Sequence, residues 1–503
     1  MNPILIDGQW RPATQIGEFE ASNPCTSEPL GEKYPISGWD DCSAALDAAR
    51  IAAEELELAP DEQIAGFLDR YSERLSDAAA EICAQAETET ALSLKPRLLD
   101  VEMPRTINQL RLAAKSVREG AWRSPVVDRE AGIRSCYGPI GPALIFGPNN
   151  FPFAFNAVSG GDFAAAIAAG NPVIAKAHSA HPGTSRMLAE QAHLAVADSG
   201  LPAATVQMLF GLGRTDGLRM VSDPRLSVAS FTGSRGGGLA LKNAADTVGT
   251  PIYLEMSSVN PVFFLPGAIA ERGDDLPGEL VGSCLMGVGQ FCTSPNMFVL
   301  MQSEASSQFL DAVKSQLDSG PVGALLTGSG LESLQQSIAS LREAGADVLA
   351  GGQIVEQPGY RFQNTLLQTT GKRFLQAPDA LQTEAFGPAT LAVVVDDAEE
   401  ALAVAAKVEG SLTGCIYSAT DGSDDPLAEQ LMRVLRRNVG RLLNDKMPTG
   451  VAVSPAMNHG GPFPATGHPG FTAVGLPASI RRFAKLDCYD NIRESRLPTC
   501  LRE

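Results

Sequence analysis

The chain has 503 residues, 44% of them hydrophobic, and carries 39 basic against 58 acidic side chains for a net charge of -19. That length exceeds what one core can serve and predicts two or three domains, while a field of that sign repels a nucleic-acid backbone. Nine cysteines without paired spacing, and five histidines outside any cysteine cluster, disfavour a disulfide framework and a metal site alike.

The opening MNPILIDGQW lacks a basic segment ahead of a long apolar one, so no secretory leader is expected. No apolar run reaches the length of a membrane span. The expected compartment is therefore a reducing cytoplasm. Residues 39–117 are alanine-rich and favour helix, as in CSAALDAARIAAEEL and FLDRYSERLSDAAAEICAQAETE. After residue 121 short apolar runs alternate with Gly and Pro. PALIFGP (142–148) predicts a buried strand ending in a turn, DFAAAIAAG (162–170) a helix stopped by Gly170, and NPVIAKA (171–177) the next strand. RLSVASFTG (225–233) predicts another strand, followed by SRGGG and the helical GLALKNAAD. This alternation implies an α/β class, with parallel βαβ units, and a second series from about residue 253 to beyond 444 implies a second such domain. Residues 123–137 and 479–489 alternate apolar and polar side chains, as projecting strands that pair between subunits do.

Three stretches carry candidate chemistry. GVGQFCTSP (287–295) places small residues ahead of Cys292, so the backbone can turn closely beneath the thiol. A free cysteine is more often a small buried hydrophobe than a nucleophile, and alone that reading stands. YLEMSSVNP (253–261) puts one carboxylate, Glu255, at the end of an apolar strand, where it serves either as a general base or as a salt-bridged strand end. FGPNNFPFAF (146–155) supplies Asn149 and Asn150 just past a strand, suited to donating to an oxyanion or to forming an Asn-Pro turn.

Together these stretches resemble the aldehyde dehydrogenase superfamily. PNNFP stands for the family's PWNFP, and the lysine strand NPVIAKA, the cofactor turn FTGSRGGG, the glutamate motif LEMSSVNP, the cysteine motif GQFCT and EAFGP follow in the family's order. The resemblance implies an aldehyde dehydrogenase-like fold of two parallel-sheet α/β domains with a strand-pairing oligomerisation element. Its parts would be the start of the cofactor domain (1–120), an oligomerisation hairpin (121–138), a Rossmann-like cofactor domain (139–253), a catalytic domain (254–470) and an oligomerisation tail (471–503). A homodimer or homotetramer is implied. Cys292 corresponds to the nucleophile, Glu255 to the base and Asn150 to the oxyanion donor, with the Cys292 N–H. Lys176 corresponds to an adenine-ribose ligand, Gly233 and Ser234 to the pyrophosphate turn, and Glu384 and Phe386 to groups orienting the nicotinamide ribose and ring. The implied reaction is NAD(P)-dependent oxidation of an aldehyde to an acid through a thiohemiacetal and a thioester.

Departures from the family pattern refine this. Ser179 stands where NAD-preferring members carry a glutamate, and Arg214 in GLGRTDG falls where a 2′-phosphate ligand could sit or where a loop charge would be solvated. NADP is the expected cofactor, with NAD possible. Arg235 could assist a phosphate or form a surface salt bridge. NHGGPFPATG (458–467) replaces the family's usual C-terminal motif and resembles the branch of 2,5-dioxovalerate (α-ketoglutaric semialdehyde) dehydrogenases and NADP-linked bacterial enzymes. The leading substrate is 2,5-dioxopentanoate, oxidised to 2-oxoglutarate. Phe153, Phe155, Ala157, Phe291, His459 and Phe463 are the candidate pocket lining, an apolar set that would equally admit a medium-chain or aromatic aldehyde. Two readings of other classes are a cysteine hydrolase, for which His459 is the one plausible partner of Cys292, and a non-catalytic binding protein on the same scaffold.

Overall fold

A computed structural model of the chain describes residues 1–470 and 472–502. Phe471 and Glu503, the first and last residues of the expected oligomerisation tail, lie outside the described residues. Two seven-stranded sheets organise the chain. The first takes the strands in the spatial order Ile252–Glu255, Val228–Thr232, Ala143–Phe146, Val173–Lys176, Val206–Leu209, Ile4–Ile6 and Gln9–Arg11. Its first five strands are parallel, and the N-terminal hairpin closes the edge antiparallel. The second orders Asp347–Ala350, Thr365–Thr370, Ala389–Val395, Met297–Met301, Val262–Phe264, Ser411–Tyr417 and Val439–Asn444, parallel except at its first strand.

The strands are short and apolar because both faces are covered, as parallel sheets require. PALIFGP yields the strand Ala143–Phe146, and NPVIAKA yields Val173–Lys176. Between them the helix Gly161–Ala168 is followed by Gly170 at φ +89°, a left-handed position that ends it. Each sheet has its own packing. Leu144, Ile174, Met208 and Ala229 belong to one buried cluster with the helices Trp39–Leu56 and Asp61–Asp77, whereas Phe263, Val299 and Val393 belong to another. The alanine-rich stretch forms the helices Trp39–Leu56, Asp61–Asp77, Ala79–Thr90 and Met103–Glu119, the last preceded by a wide turn over Leu94–Glu102.

A separate antiparallel sheet pairs Ala484–Asp490 with Ile133–Pro139, and the latter with Val126–Asp128. The expectation of strands over 123–137 and 479–489 holds in part: the first is a hairpin of Val126–Asp128 and Ile133–Pro139, the second is a 3-10 turn over Ala478–Phe483 before its strand, and the two pair with each other within one chain. The outer edges carry Val126, Val127 and Leu486, all exposed. Among the described residues no helix is long and apolar enough to cross a membrane.

Candidate active site

Glu255 is the last residue of its strand and is buried to 5% exposure. That edge does not end in solvent. Met256 N–H donates to Ala465 O (2.8 Å) and Gly467 N–H to Leu254 O (3.1 Å), so the segment 458–467 is laid alongside it. Gly461 of NHGGPFPATG, and Gly440 facing it, make this path possible. A Cβ on Gly440 would fall 1.8 Å from Gly460 O, and one on Gly461 2.4 Å from Ser411 O, contacts no side chain tolerates. Anchored there, and held by Thr472 Oγ1 accepting from its backbone N–H at 2.6 Å, His459 turns its ring inward.

Cys292 lies in the loop between the helix Leu276–Leu285 and the strand Met297–Met301. The turn beneath it has three successive left-handed residues, Gly287, Val288 and Gly289 at φ +59°, +58° and +69°. A valine there is strained, and Gly289 is obligatory because a Cβ would meet Gly387 O at 2.0 Å, tying this loop to EAFGP. Asn260, itself at φ +49°, donates from Nδ2 to Cys292 O and Ser294 O, both at 2.9 Å, while its Oδ1 accepts from Ser258 and Thr413. It is buried and fixes the height of the sulfur.

The three side chains converge. His459 Nε2 is 3.4 Å from Cys292 Sγ and 2.9 Å from Glu255 Oε1, and one ligand-type atom of each residue falls within 4.8 Å of the others. Burial first, and then the Glu255 charge, push the Cys292 thiol well above its ordinary range; Arg105 pulls it the other way. Glu255 Oε2 is buried without a hydrogen-bond partner. A cavity of about 20 Å³ beside Glu255 and His459, lined also by Thr232, Thr466 and Thr472, has room for a water. Asn150 donates from Nδ2 to Gln290 O at 2.8 Å, which leaves its second amide hydrogen, and the Cys292 N–H has no acceptor elsewhere among the described residues.

The expected lining divides. Phe155 and Phe291 join Phe151, Ala473 and Val474 in one small cluster, with Val451, Val453 and Met457 against it. Phe155 sits 5.7 Å from the His459 ring. Phe153 and Ala157 instead belong to the core under the first sheet, and Phe463 is 58% exposed with Arg235 over its ring. Residue-type reasoning missed Phe151, the helix arginines Arg97 and Arg105, and Asn260. Phe151 and Asn260 stood inside quoted motifs; the two arginines did not.

Of the residues expected to bind cofactor, Lys176, Gly233 and Ser234 lie at or just beyond the carboxyl ends of first-sheet strands, where such sheets bind nucleotides, whereas Glu384 and Phe386 precede the strand Ala389–Val395 of the second sheet. Ser234 caps the helix Arg235–Asp246, accepting from Gly237 N–H at 3.3 Å, and Gly233 precedes it. Gly236 has no heavy atom within 4 Å of a Cβ placed on it, so backbone donors there lie open to an anion. Lys176 is pulled down to about 8 by burial, and its ammonium has no hydrogen bond or ion pair among the described residues. Its strand is paired in register with the one ending at Leu209, so Ser179 and Arg214, both exposed, follow neighbouring strand ends. Arg235 pairs with Glu409 at 3.0 Å. Glu384, pushed up to about 7 by burial, contributes charge at Cys292; Phe386 is half-buried two residues on. An orphaned ammonium and a helix start opened at Gly236 fit a dinucleotide.

Comparison with known proteins agrees. The model of the aldehyde dehydrogenase family matches residues 10–453. Alpha-ketoglutaric semialdehyde dehydrogenase 2 of Azospirillum brasilense is 36% identical over 511 residues, covering 99% of this chain and 96% of the relative. The alpha-ketoglutaric semialdehyde dehydrogenase of Acinetobacter baylyi is likewise 36% identical, covering 99% and 95%. In fold, a crystal structure of a Pseudomonas syringae aldehyde dehydrogenase C mutant with NAD+ and octanal superposes with a TM-score of 0.82 at 19% identity, covering 97% of this chain and 96% of that one. The chain belongs to the aldehyde dehydrogenase family, and is an oxidoreductase acting on aldehydes with NAD(P).

Proposed function

We propose that this dehydrogenase oxidises 2,5-dioxopentanoate to 2-oxoglutarate with NADP, on Cys292. The observation that carries the reading is the convergence of Cys292, His459 and Glu255 within 4.8 Å. The substrate follows the two full-length relatives whose names specify this semialdehyde. NADP follows Ser179, which presents no carboxylate to repel a 2′-phosphate, and Arg214 beyond the neighbouring strand end.

The resting thiol is neutral, since burial and a carboxylate both oppose its ionisation. Its proton leaves through His459. With Nε2 unprotonated the ring accepts the S–H proton and hands it on to Glu255 Oε1, from which it leaves to water through the adjoining cavity, so Glu255 is ionised again before the thioester is hydrolysed. Sulfur then bonds to the aldehyde carbon, and the oxyanion is met by the Cys292 N–H and the remaining Asn150 hydrogen. When bound, the dinucleotide supplies the hydride acceptor, held by Lys176, the start of the helix Arg235–Asp246 and Glu384. Glu255, through its unpaired Oε2 and the adjoining cavity, takes a proton from water to hydrolyse the thioester.

A hydrolase of the cysteine–histidine–acid kind would contact nucleophile and acid through opposite ring nitrogens. Here both partners meet Nε2. A second reading, oxidation of a medium-chain or aromatic aldehyde, is favoured by the aromatic cluster Phe151, Phe155 and Phe291. We place the enzyme in the cytoplasm as a homodimer or homotetramer joined through the edges of the three-stranded sheet; its nine cysteines are all free. A panel of 2,5-dioxopentanoate, succinic semialdehyde, hexanal and benzaldehyde, each with NADP and NAD, tests the assignment. Highest kcat/KM for 2,5-dioxopentanoate is expected, and equal turnover across the panel overturns it.

A further inference from the structure

The mouth of the site contains an arginine that the chemistry above does not use. Arg105 stands on the helix Met103–Glu119, and one turn on, Gln109 fastens that helix to the pocket by donating to Ala154 O at 3.1 Å. The guanidinium lies over Phe155 (5.5 Å) and Phe151 (6.0 Å). Those two rings lead directly to the reacting groups, since Phe155 is 5.7 Å from His459 and Phe151 is 5.0 Å from Phe291, the neighbour of Cys292.

This cation has no anion. Glu102, one turn earlier, is fully committed, its Oε1 accepting from Phe153 N–H (2.8 Å) and Ala154 N–H (3.0 Å) and its Oε2 pairing with Arg97. Arg105 is left with a neutral partner, Gln109 Oε1 at 3.2 Å from its Nε, and its Nη2 is buried without any partner. No salt bridge reaches it among the described residues. A sheltered guanidinium stays charged, and a buried charge is costly unless an opposite charge joins it.

We propose that Arg105 binds the carboxylate of the substrate, and so selects aldehydes that carry an acid at the far end of a short chain. The inference rests on the reading of the site as an aldehyde-oxidising one and deepens it. Four carbon–carbon bonds separate the aldehyde and carboxylate carbons of 2,5-dioxopentanoate, about 5 Å when extended. A short chain suits the site, since one ring, Phe155, stands between the Arg105 guanidinium (5.5 Å) and His459 (5.7 Å), whose Nε2 is 3.4 Å from the Cys292 sulfur. The planar fork of arginine suits a carboxylate, and the flanking phenyl faces keep it desolvated.

The test compares kcat/KM for 2,5-dioxopentanoate with that for pentanal, in the wild type, Arg105→Gln and Arg105→Lys. The ratio should fall by about 30-fold or more in Arg105→Gln, the effect of removing one partner of a buried charged pair. It should recover in part in Arg105→Lys, which restores charge without the fork. The loss should appear mainly in KM. Independently of any variant, glutarate should compete with pentanal in the wild type and bind the cofactor-free protein in calorimetry, and Arg105→Gln should abolish that binding. An unchanged ratio, or glutarate that neither competes nor binds, overturns the proposal. A wild type that rejects 2,5-dioxopentanoate but prefers succinic semialdehyde over butanal, with Arg105→Gln erasing that preference, upholds the carboxylate site while refuting the substrate assignment. A wild type that prefers the neutral aldehyde in both pairs refutes the site.

Discussion

Replacing Glu255 by glutamine should make Cys292 a more acidic thiol, although it destroys the hydrolytic base. A Glu255 oxygen lies within 4.8 Å of the sulfur. Two unit charges at that separation, in an effective dielectric of about 20, repel by about 3.5 kcal/mol, which corresponds to about 2.5 pK units. Relaxation and entering water reduce this, leaving a fall of about 2 units as the expectation. The sign follows from the charge: an anion beside the thiol disfavours thiolate, so its removal lowers the thiol pKa and enlarges the thiolate fraction at neutral pH about 100-fold. Intrinsic nucleophilicity declines with pKa through a Brønsted slope of about 0.4–0.5, so the exchange rate should rise only about tenfold. Stopped-flow exchange with 4,4′-dithiodipyridine reads this directly, with Cys292→Ala backgrounds subtracting the exposed Cys25 and Cys488. A slower or unchanged rate would refute the reasoning and mean that Glu255 supports an imidazolium–thiolate pair between His459 and Cys292.

In turnover, the same Glu255→Gln variant should give one burst of reduced cofactor and then stall, whereas Cys292→Ser should give none; rapid-mixing absorbance distinguishes them. Asn260→Ala strips partners from two buried carbonyls and should cost about 2–4 kcal/mol of stability, seen as a lower denaturant midpoint, with kcat reduced further as Cys292 loses its fixed height. Ser179→Glu should raise KM for NADP at least tenfold while sparing NAD, as a carboxylate meets the 2′-phosphate; equal effects on both cofactors would reject that pocket. Leu486→Glu, on an exposed sheet edge, should shift the sedimentation coefficient to that of a smaller assembly without loss of helix by circular dichroism.

Much of this architecture was legible in the residues because local pattern and tertiary role agree. ALIF and VIAK are short and wholly apolar, as strands covered on both faces must be, and Gly170 stops its helix where a left-handed residue is required. Cys292, Glu255 and Asn150 stood out as candidates because each sits beside small or turn-forming neighbours, Glu255 at a strand end, Asn150 just past one and Cys292 in a loop. His459 was visible as a candidate wall and, on a hydrolase reading, as a partner of Cys292, but its place between Cys292 and Glu255 depends on 458–467 lying against a strand some 200 positions earlier, a contact without local signature. The same holds for Arg105, one of several arginines on an amphipathic helix until its Glu102 neighbour is seen to be spent on Arg97 and two amides. Phe153 and Phe155 illustrate the opposite failure. Both are aromatic and two residues apart, yet the turn between them sends one into the core and the other into the mouth.

Mass spectrometry of Glu255→Gln mixed with 2,5-dioxopentanoate and NADP tests the covalent account most directly. The peptide carrying Cys292 should gain the mass of one 2-oxoglutaryl group, removable by hydroxylamine and absent when Cys292 is also replaced by Ser. Reduced cofactor formed in the burst while that peptide stays unmodified would contradict a thioester on this sulfur.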